Sequence, residues 1–600
     1  MANFTNLDLL RFLLFDVHPV NQLFTYPKYA HLDEEQSWMI LESAKSLADQ
    51  EMFPYFKEMD QKPATYDGKG GVQTHPQLKR IIQIAATQGW IGGAAKFEHG
   101  GMQLPELIFN AGQHIFQAAN NSVQGYLGLS SGAAGLITSF GSQEQIDTYI
   151  PPIYAGKWQG TMALTEPQAG SSLSDIITIA KPSNENFYLI TGQKIFISGG
   201  QHDAVDNFVH LTLARIAGAP AGVKGISLFI IPKFRPQPDG TLQYNDVYCA
   251  GDFQKMGQKG YSTTHLSFGD NNDCRGWLVG QAHQGLKYMF QMMNGARISV
   301  GQCAASVAMA AYQASLQYCL ERSQGRLPSE KDPLKPPTLI INHADIQRML
   351  FTQKSIVEGS LSLAMECNLL YDLYHASEGK EKEQHLTLLE ILTPIIKTYA
   401  SEQGSRAASL AIQTLGGYGY TTDFPVQQLY RDLKIMSLYE GTTGIQSLDL
   451  LGRKVTMNNG LAWKLLITKI SVCIETAEQY PELQTCCTEL NDAIQSNEKV
   501  LTYLAQYLTN AELDRYLSDA TVFMEMVSYL VIGWQWLKMA TIAYEKMETS
   551  SFTSNSKSFY EGKIHTMKFY FKYELTHVAA CAKTLINSEV LTTVKNQELF

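Results

Sequence analysis

A chain of 600 residues has room for roughly three or four domains, and 45% hydrophobic with 17% charged side chains describes a folded chain rather than a disordered one. The formal net charge of −10 argues against a general nucleic-acid binder, which needs a basic surface. The nine cysteines lack metal-ligand spacing and only Cys486-Cys487 is vicinal, so neither a zinc site nor a disulfide framework is expected, in keeping with a reducing compartment.

In chain order, the opening Met1-Ala2-Asn3-Phe4-Thr5-Asn6 lacks the basic region and cleavage site of a signal peptide. Residues 1–160 are expected to form an N-terminal helical domain. Asp33-Glu34-Glu35-Gln36 precedes apolar positions at Met39, Ile40, Ala44, Leu47 and Ala48, an amphipathic helix with an acidic first turn. Residues 65–74 read as a loop and 97–101 as a break, followed by a long helix from Pro105 towards Asn121. The texture changes over 161–285. Residues 187–198 read as two strands around a glycine-containing turn, and 207–215, 224–232 and 263–268 as further strands of a compact β domain. Helical texture returns over 286–455. Runs at 296–320, 343–374 and 385–415, with a helix after Gly444, have the lengths of a helix bundle. Residues 456–600 form a helical extension with a polar break at 548–557. Its Phe523, Met524, Met526, Tyr529, Trp534 and Trp536 suit a packing core. The apolar run 529–540 is interrupted by Gln535 and Lys538 and is too short to span a bilayer, so no transmembrane segment and a cytoplasmic location are expected.

Four separated strings carry the chemistry. Thr161-Met162-Ala163-Leu164-Thr165-Glu166-Pro167-Gln168-Ala169-Gly170-Ser171-Ser172 opens the β domain, and Lys194-Ile195-Phe196-Ile197-Ser198 lies inside it. Gln413-Thr414-Leu415-Gly416-Gly417-Tyr418-Gly419-Tyr420 ends a bundle helix, and Tyr439-Glu440-Gly441-Thr442 follows. A carboxylate on glycine-bearing backbone can sit close over a flat ligand, remove a proton and have a neighbouring N–H stabilise the resulting charge. Taken alone, each string has a plain alternative: a surface turn at Glu440, a strand-to-loop junction at Met162, a core aromatic at Phe196 and a helix C-cap at Gly416.

In this order and spacing the strings resemble the acyl-CoA dehydrogenase family over residues 80–455. The opening Leu10-Arg11-Phe12-Leu13-Leu14-Phe15-Asp16-Val17-His18, the length and the helical extension resemble its larger bacterial branch, which includes methylthiopropionyl-CoA dehydrogenases and broad-range acyl-CoA dehydrogenases. The resemblance implies an α+β fold: N-terminal helical domain, middle β-barrel domain, C-terminal four-helix bundle and an extra helical domain. It implies FAD as cofactor, with Met162, Leu164, Thr165 and Gly170 at the flavin, Ser171 near the FAD and CoA phosphates, and Phe196, Ile197 and Ser198 against the ring. Phe196 and Ser198 stand where many relatives carry Trp and Thr. Arg322 and Gln324, with Gln413, Gly416 and Gly417, would hold the FAD pyrophosphate of a neighbouring subunit, which makes the protein an oligomer; the helical extension points to a homodimer. An insertion runs from Gly325 to Pro337. Asn294 and Arg297 would meet the CoA portion, and Gly441 and Thr442 the thioester and flavin.

The implied reaction is α,β-dehydrogenation of an acyl-CoA, a step of fatty-acid β-oxidation. Glu440 takes the α-proton, and its N–H with a ribityl hydroxyl of FAD polarises the thioester carbonyl. Electron-transferring flavoprotein is the implied acceptor. The alternatives are an acyl-CoA oxidase using oxygen, a flavin-containing binding protein without turnover, and an inactive scaffold. Residues 456–600 hold more acidic than basic side chains, which disfavours DNA association, and the retained Glu440 disfavours the scaffold. Gly125 and Gly128 are expected to leave room in the acyl cavity, which favours medium or longer chains.

Overall fold

The computed structural model describes residues 3–549, 556–589 and 591–599, without the side chains of 290–293. Most of the expected polar break at 548–557 therefore lies outside the described residues. The chain divides into two compact units, one spanning Met39–Ala296 and the other combining Asn3–Trp38 with Arg297–Phe600.

The first unit carries short helices, the long helix α1 (Glu106–Phe140) and the β domain. The eight strands of the latter are β1 (Trp158–Ala163), β2 (Ile179–Pro182), β3 (Tyr188–Ser198), β4 (Asn207–Ile216), β5 (Ile226–Pro232), β6 (Val247–Asp252), β7 (Thr263–Phe268) and β8 (Arg275–Leu278). β3 pairs with β8, β8 with β5, β5 with β4, β4 with β2 and β2 with β3, so the sheet closes on itself; β1 pairs with β4, and β7 then β6 continue from β3. Closure pairs β2, β3, β4, β5 and β8 on both sides, and β1 and β6 remain as the terminal strands. Ile190, Ile197, Phe229, Ile231, Leu266 and Phe268 fill the interior.

Three sequence expectations change here. Residues 188–198 form one continuous strand rather than two around a turn. Gly192 is there for close packing, because a Cβ would come within 2.4 Å of Thr178 Oγ1 on the chain crossing it. Residues 65–74 contain a small hairpin, Thr65–Tyr66 against Val72–Gln73, whose loop is held by Asp67 Oδ1 accepting from the N–H groups of Lys69 and Gly71. The helix after Pro105 runs on to Phe140. It breaks internally at Asn120 (φ −161°, ψ 90°), whose side chain accepts from the Val123 N–H as an internal N-cap and donates to the Met52 carbonyl.

The second unit is helical. Helices α2 (Gly285–Glu321, crossing the division between units), α3 (Ala344–Ala376) and α4 (Gly379–Leu415) are joined by α5 (Thr443–Asp449), shorter than a bundle helix and widened into a π turn over Leu450–Lys454. The extension adds α6 (Met457–Ala477), α7 (Gln484–Thr509), α8 (Ala520–Glu548), α9 (Lys557–Tyr570) and α10 (His577–Leu585). Phe523, Met524, Met526, Trp534 and Trp536 of α8 are buried, and Trp536 Nε1 donates to the Ser355 carbonyl at 2.9 Å. Among the described residues, no helix is long and apolar enough to cross a membrane.

Ion pairs with a buried carboxylate tie the extension to α3 and α4, and in the first the lysine is buried too. Lys563 meets Glu358 at 2.7 Å, Lys538 meets Glu366 at 2.7 Å and Arg406 meets Glu574 at 2.6 Å. His18 joins the second pair: Lys538 donates to Nδ1 at 3.2 Å, and Nε2 lies 3.0 Å from Ser362 Oγ, whose hydroxyl donates to Gln535. Burial, helped by Lys538, draws the His18 pKa down to about 4, so the ring is neutral and Glu366 carries the charge.

Lys563→Met leaves Glu358 charged and unpaired in the core and is expected to cost about 3–5 kcal/mol by denaturant unfolding. The double change Glu358→Leu with Lys563→Met should recover most of that loss.

Candidate active site

In the first unit, the chain leaving β1 passes Leu164 and Thr165 and turns back at Pro167-Gln168. Glu166 and Ala169 exchange backbone hydrogen bonds at 3.0 Å, with Pro at the position whose φ such a turn requires. This segment is bound to β3: the Ile195 N–H donates to the Thr165 carbonyl at 2.9 Å, and Lys194 Nζ donates to the Leu164 carbonyl at 2.9 Å and to Glu166 Oε1 at 2.8 Å. Lys194 and Glu166 are both buried. Burial pushes the Lys194 ammonium down to about 8 against the pull of Glu166. Burial would raise Glu166, but the Lys194 charge and the N–H groups of Ile177 and Thr178 outweigh it and bring its carboxyl down to about 2. Sequence reasoning quoted both residues without assigning them this task.

Immediately beyond Lys194 the strand bulges. Thr264 faces Ile197 and Leu266 faces Lys194, so Ile195 and Phe196 oppose the single residue His265. The bulge puts Phe196 at φ 58° and turns its ring outward, 55% exposed and 4.5 Å from the Phe253 ring. A left-handed aromatic residue costs about 1–3 kcal/mol and persists only where its surroundings fix it. Ile197 is buried, Ser198 and Met162 are half-buried, and Gly170 and Ser171 are exposed on the loop after the turn.

In the second unit, the end of α4 and the residues at the end of α2 and just beyond it form a groove of about 610 Å³. It brings together Arg322, Gln324, Gln413, Gly416 and Gly417, all exposed. Gly416 (φ 61°) closes α4 by donating to the Gln413 carbonyl, and a Cβ on either glycine would meet nothing within 4 Å. The cap and the open groove therefore coexist at this turn. In the insertion, Arg326 binds the carbonyls of Pro333 and Lys335, and the strand-like bridge Ser323–Leu339 closes its base.

Glu440 is half-buried and also left-handed, at φ 56°, followed by Gly441 at φ 89°. Gln446 Nε2 donates to the Glu440 carbonyl at 3.1 Å, Lys397 Nζ donates to the Gly441 carbonyl at 2.6 Å, and the Thr442 hydroxyl caps α5 by accepting from Ile445. The Thr443 hydroxyl donates to Glu402. Among the described residues, no acceptor takes the Glu440 N–H. Burial raises the Glu440 pKa, opposed by the charges of Arg297 and Lys397. Arg297 is 4% exposed and bonded to Asp449 at 3.2 Å, and Asn294 lies half-buried one turn before it on α2. Sequence reasoning missed Lys397, Gln446 and Glu402. The available signal was a lysine inside the apolar run Ile395-Ile396-Lys397-Thr398-Tyr399-Ala400.

The expectation from Gly125 and Gly128 loses its support. A Cβ at Gly125 would lie 3.0 Å from the Tyr261 ring and one at Gly128 2.9 Å from Gln124 Nε2, so neighbours already fill that space. Tyr126 is directed into the protein, accepting from the Ser262 N–H at 2.8 Å.

In the first unit an outward aromatic ring on a fixed bulge suits a planar ring system, and in the second unit a groove lined by an arginine and two glycines open to a backbone approach suits a phosphate arm. Family models for the acyl-CoA dehydrogenase N-terminal, middle and C-terminal domains match residues 33–157, 161–271 and 283–455, and an acetyl-CoA dehydrogenase C-terminal-like model matches 466–593. The butyryl-CoA dehydrogenase of Syntrophomonas wolfei subsp. wolfei is 37% identical over 461 residues, covering 75% of each chain. The broad-specificity linear acyl-CoA dehydrogenase FadE5 of Mycobacterium tuberculosis is 31% identical over 94% of each, extension included. The structure of an acyl-CoA dehydrogenase from Bacillus anthracis complexed with FAD shares the fold with a TM-score of 0.74, at 21% identity over 92% of this chain and 88% of that one. The chain belongs to the acyl-CoA dehydrogenase family of FAD-dependent oxidoreductases.

Proposed function

We propose that the protein dehydrogenates a linear acyl-CoA thioester between Cα and Cβ to the trans-2-enoyl-CoA, with Glu440 as the base. The observation that carries this reading is Glu440 itself, a carboxylate held in a strained backbone conformation on a glycine-flanked turn. Its pKa is raised by burial, which makes it a stronger base than an exposed glutamate. The Glu440 carboxylate takes the α-proton while the Glu440 N–H donates to the thioester carbonyl, where the enolate charge develops. Bound FAD supplies the acceptor for the hydride that leaves the β-carbon.

Met162, Leu164, Thr165, Gly170, Phe196, Ile197, Ser198 and Thr442 are assigned to the flavin, with Ser171 shared between cofactor and CoA. Arg322, Gln324, Gln413, Gly416 and Gly417 are assigned to the pyrophosphate arm of a cofactor held mainly by a second copy, which makes the active form a homodimer; their convergence on one groove supports this. Asn294 and Gly441 are assigned to substrate. Arg297 is placed near the base, and its CoA contact is proposed on the resemblance alone, since its charge is engaged by Asp449. Electron-transferring flavoprotein is the proposed acceptor, in keeping with a family of dehydrogenases, and a cytoplasmic location is proposed.

Anaerobic bleaching of the flavin absorbance by butyryl-, octanoyl- and palmitoyl-CoA tests the reading. Glu440→Gln should bleach about 10² to 10⁴-fold more slowly or not at all. In the wild type the rate should rise with pH through a midpoint above the ordinary glutamate value of 4.5. A flavin that reduces but reoxidises in air at the turnover rate would assign an oxidase instead.

Arg322→Ala removes charge-assisted bonds worth about 1.5–3 kcal/mol, so FAD retention on dilution should weaken roughly 10- to 100-fold. Sedimentation of the holoenzyme should report a dimer, and a monomer with full FAD content would refute the shared groove.

A further inference from the structure

Lys397 has no role in the scheme above, yet its surroundings single it out. It lies in the middle of α4 with Ile395, Ile396, Tyr399 and Ala400 buried around it, and is itself 0% exposed. Burying an ammonium is costly unless it is strongly bonded, and a lysine kept at such a position has a specific contact to make. That contact is the Gly441 carbonyl, at 2.6 Å.

The bond acts directly on the turn that carries the base. A peptide group is planar, so holding its carbonyl also fixes the direction of its N–H. Lys397 fixes the plane between Gly441 and Thr442, and the fully buried Gln446 fixes the plane between Glu440 and Gly441. The Thr442 hydroxyl on α5 and the Thr443 hydroxyl on Glu402 hold the following residues. Glu440 at φ 56° and Gly441 at φ 89° are left-handed, and a turn of this kind relaxes unless its far side is held.

Charge adds a second effect. The groups bearing on Lys397 are Glu402 of the same helix, Glu440 on the turn and, with like sign, Arg297 of α2. Those bearing on Glu440 are Arg297 and Lys397, with Arg297 itself bonded to Asp449 of α5. Among the described residues, no lysine or arginine forms an ion pair with Glu440. Lys397 instead delivers its hydrogen bond one residue further on, to a neutral carbonyl.

We propose that Lys397 is a positioning residue for the dehydrogenation: it ties down the Gly441 carbonyl so that the Glu440 carboxylate stays aimed, and its charge sets the field in which that carboxylate takes up its proton. The inference rests on the assignment of Glu440 as base. Burial draws the Lys397 pKa down to about 8, so the side chain is still mostly an ammonium at neutral pH.

The test compares wild type, Lys397→Met, Lys397→Gln and Lys397→Arg as purified holoenzymes. The readout is anaerobic bleaching across pH by whichever of butyryl-, octanoyl- or palmitoyl-CoA reduces the wild type fastest. Lys397→Met should slow bleaching at saturating acyl-CoA on the order of 10- to 100-fold, with little change in the concentration giving half the maximal rate. Removing a positive charge lets the Glu440 pKa rise, so the rising limb of its pH profile should move to higher pH. Lys397→Gln keeps a donor without the charge. It should lose less rate than Lys397→Met but show the same upward shift, and it serves where Lys397→Met does not take up FAD. Lys397→Arg should restore the wild-type limb. Wild-type rate and limb in both neutral variants overturn the proposal, as does a loss confined to FAD content or folding while the remaining holoenzyme keeps the wild-type profile. Glu440→Gln separates the two claims. If it bleaches at the wild-type rate, the base assignment fails and this inference falls with it. If it is inactive while the Lys397 variants behave as wild type, only the inference falls.

Discussion

A buried ammonium bonded to a loop carbonyl recurs at both turns to which the reaction is assigned, and the rest of each turn depends on it. Lys194 donates to the Leu164 carbonyl and Lys397 to that of Gly441. Both turns are unfavourable alone: each has a non-glycine residue in the left-handed region nearby, Phe196 in one and Glu440 in the other. Such conformations survive only where their neighbours over-determine them. A lysine suits the task because its stem packs among apolar side chains while its head offers a charge-assisted bond, stronger than a neutral donor could make.

The same economy of charge organises the helical extension. The Glu358–Lys563, Glu366–Lys538 and Arg406–Glu574 pairs lie between α3 or α4 and the added helices. A buried ion pair adds little net stability, since desolvation consumes most of the attraction, but a wrong helix register would leave the buried Glu358, Glu366, Glu574 and Lys563 unpaired at great cost. The pairs therefore specify how the extension docks, and the apolar face around Trp536 drives it to dock at all. His18 brings the opening segment into the same network, which explains why Asn3–Trp38 groups with the C-terminal helices rather than with the helices that follow it in sequence.

Much of this was legible from the chain. Glycine-bearing strings marked both turns, and long apolar runs marked α2, α3 and α4, because those signals are local. What escaped depends on contacts distant in sequence. Gly192 looked like a turn residue, since nothing nearby reveals that Thr178 crosses it within 2.4 Å of where a Cβ would stand. Gly125 and Gly128 looked like open space for the same reason, though Tyr261 and Gln124 occupy it. Arg297 was expected to meet the CoA portion, and only the fold shows Asp449 holding it. The bulge at Phe196 was unreadable because it is a property of pairing with β7, not of the strand's own residues.

The two lysine clamps also make a comparison within one protein. Lys194 meets Glu166 directly at 2.8 Å, and that carboxyl falls to about 2 although burial alone would raise it. An acid so stabilised as its anion is a useless base. The charge of Lys397 also bears on Glu440, yet its hydrogen bond goes to the next residue's carbonyl, and the Glu440 pKa stays above the ordinary value. One residue of displacement thus separates a structural carboxylate from the one proposed as the base. The charge of the ammonium favours the ionised carboxylate, and without a direct ion pair it does not hold that anion against protonation. A general base in a desolvated site needs that balance, because full pairing abolishes basicity and full isolation abolishes ionisation.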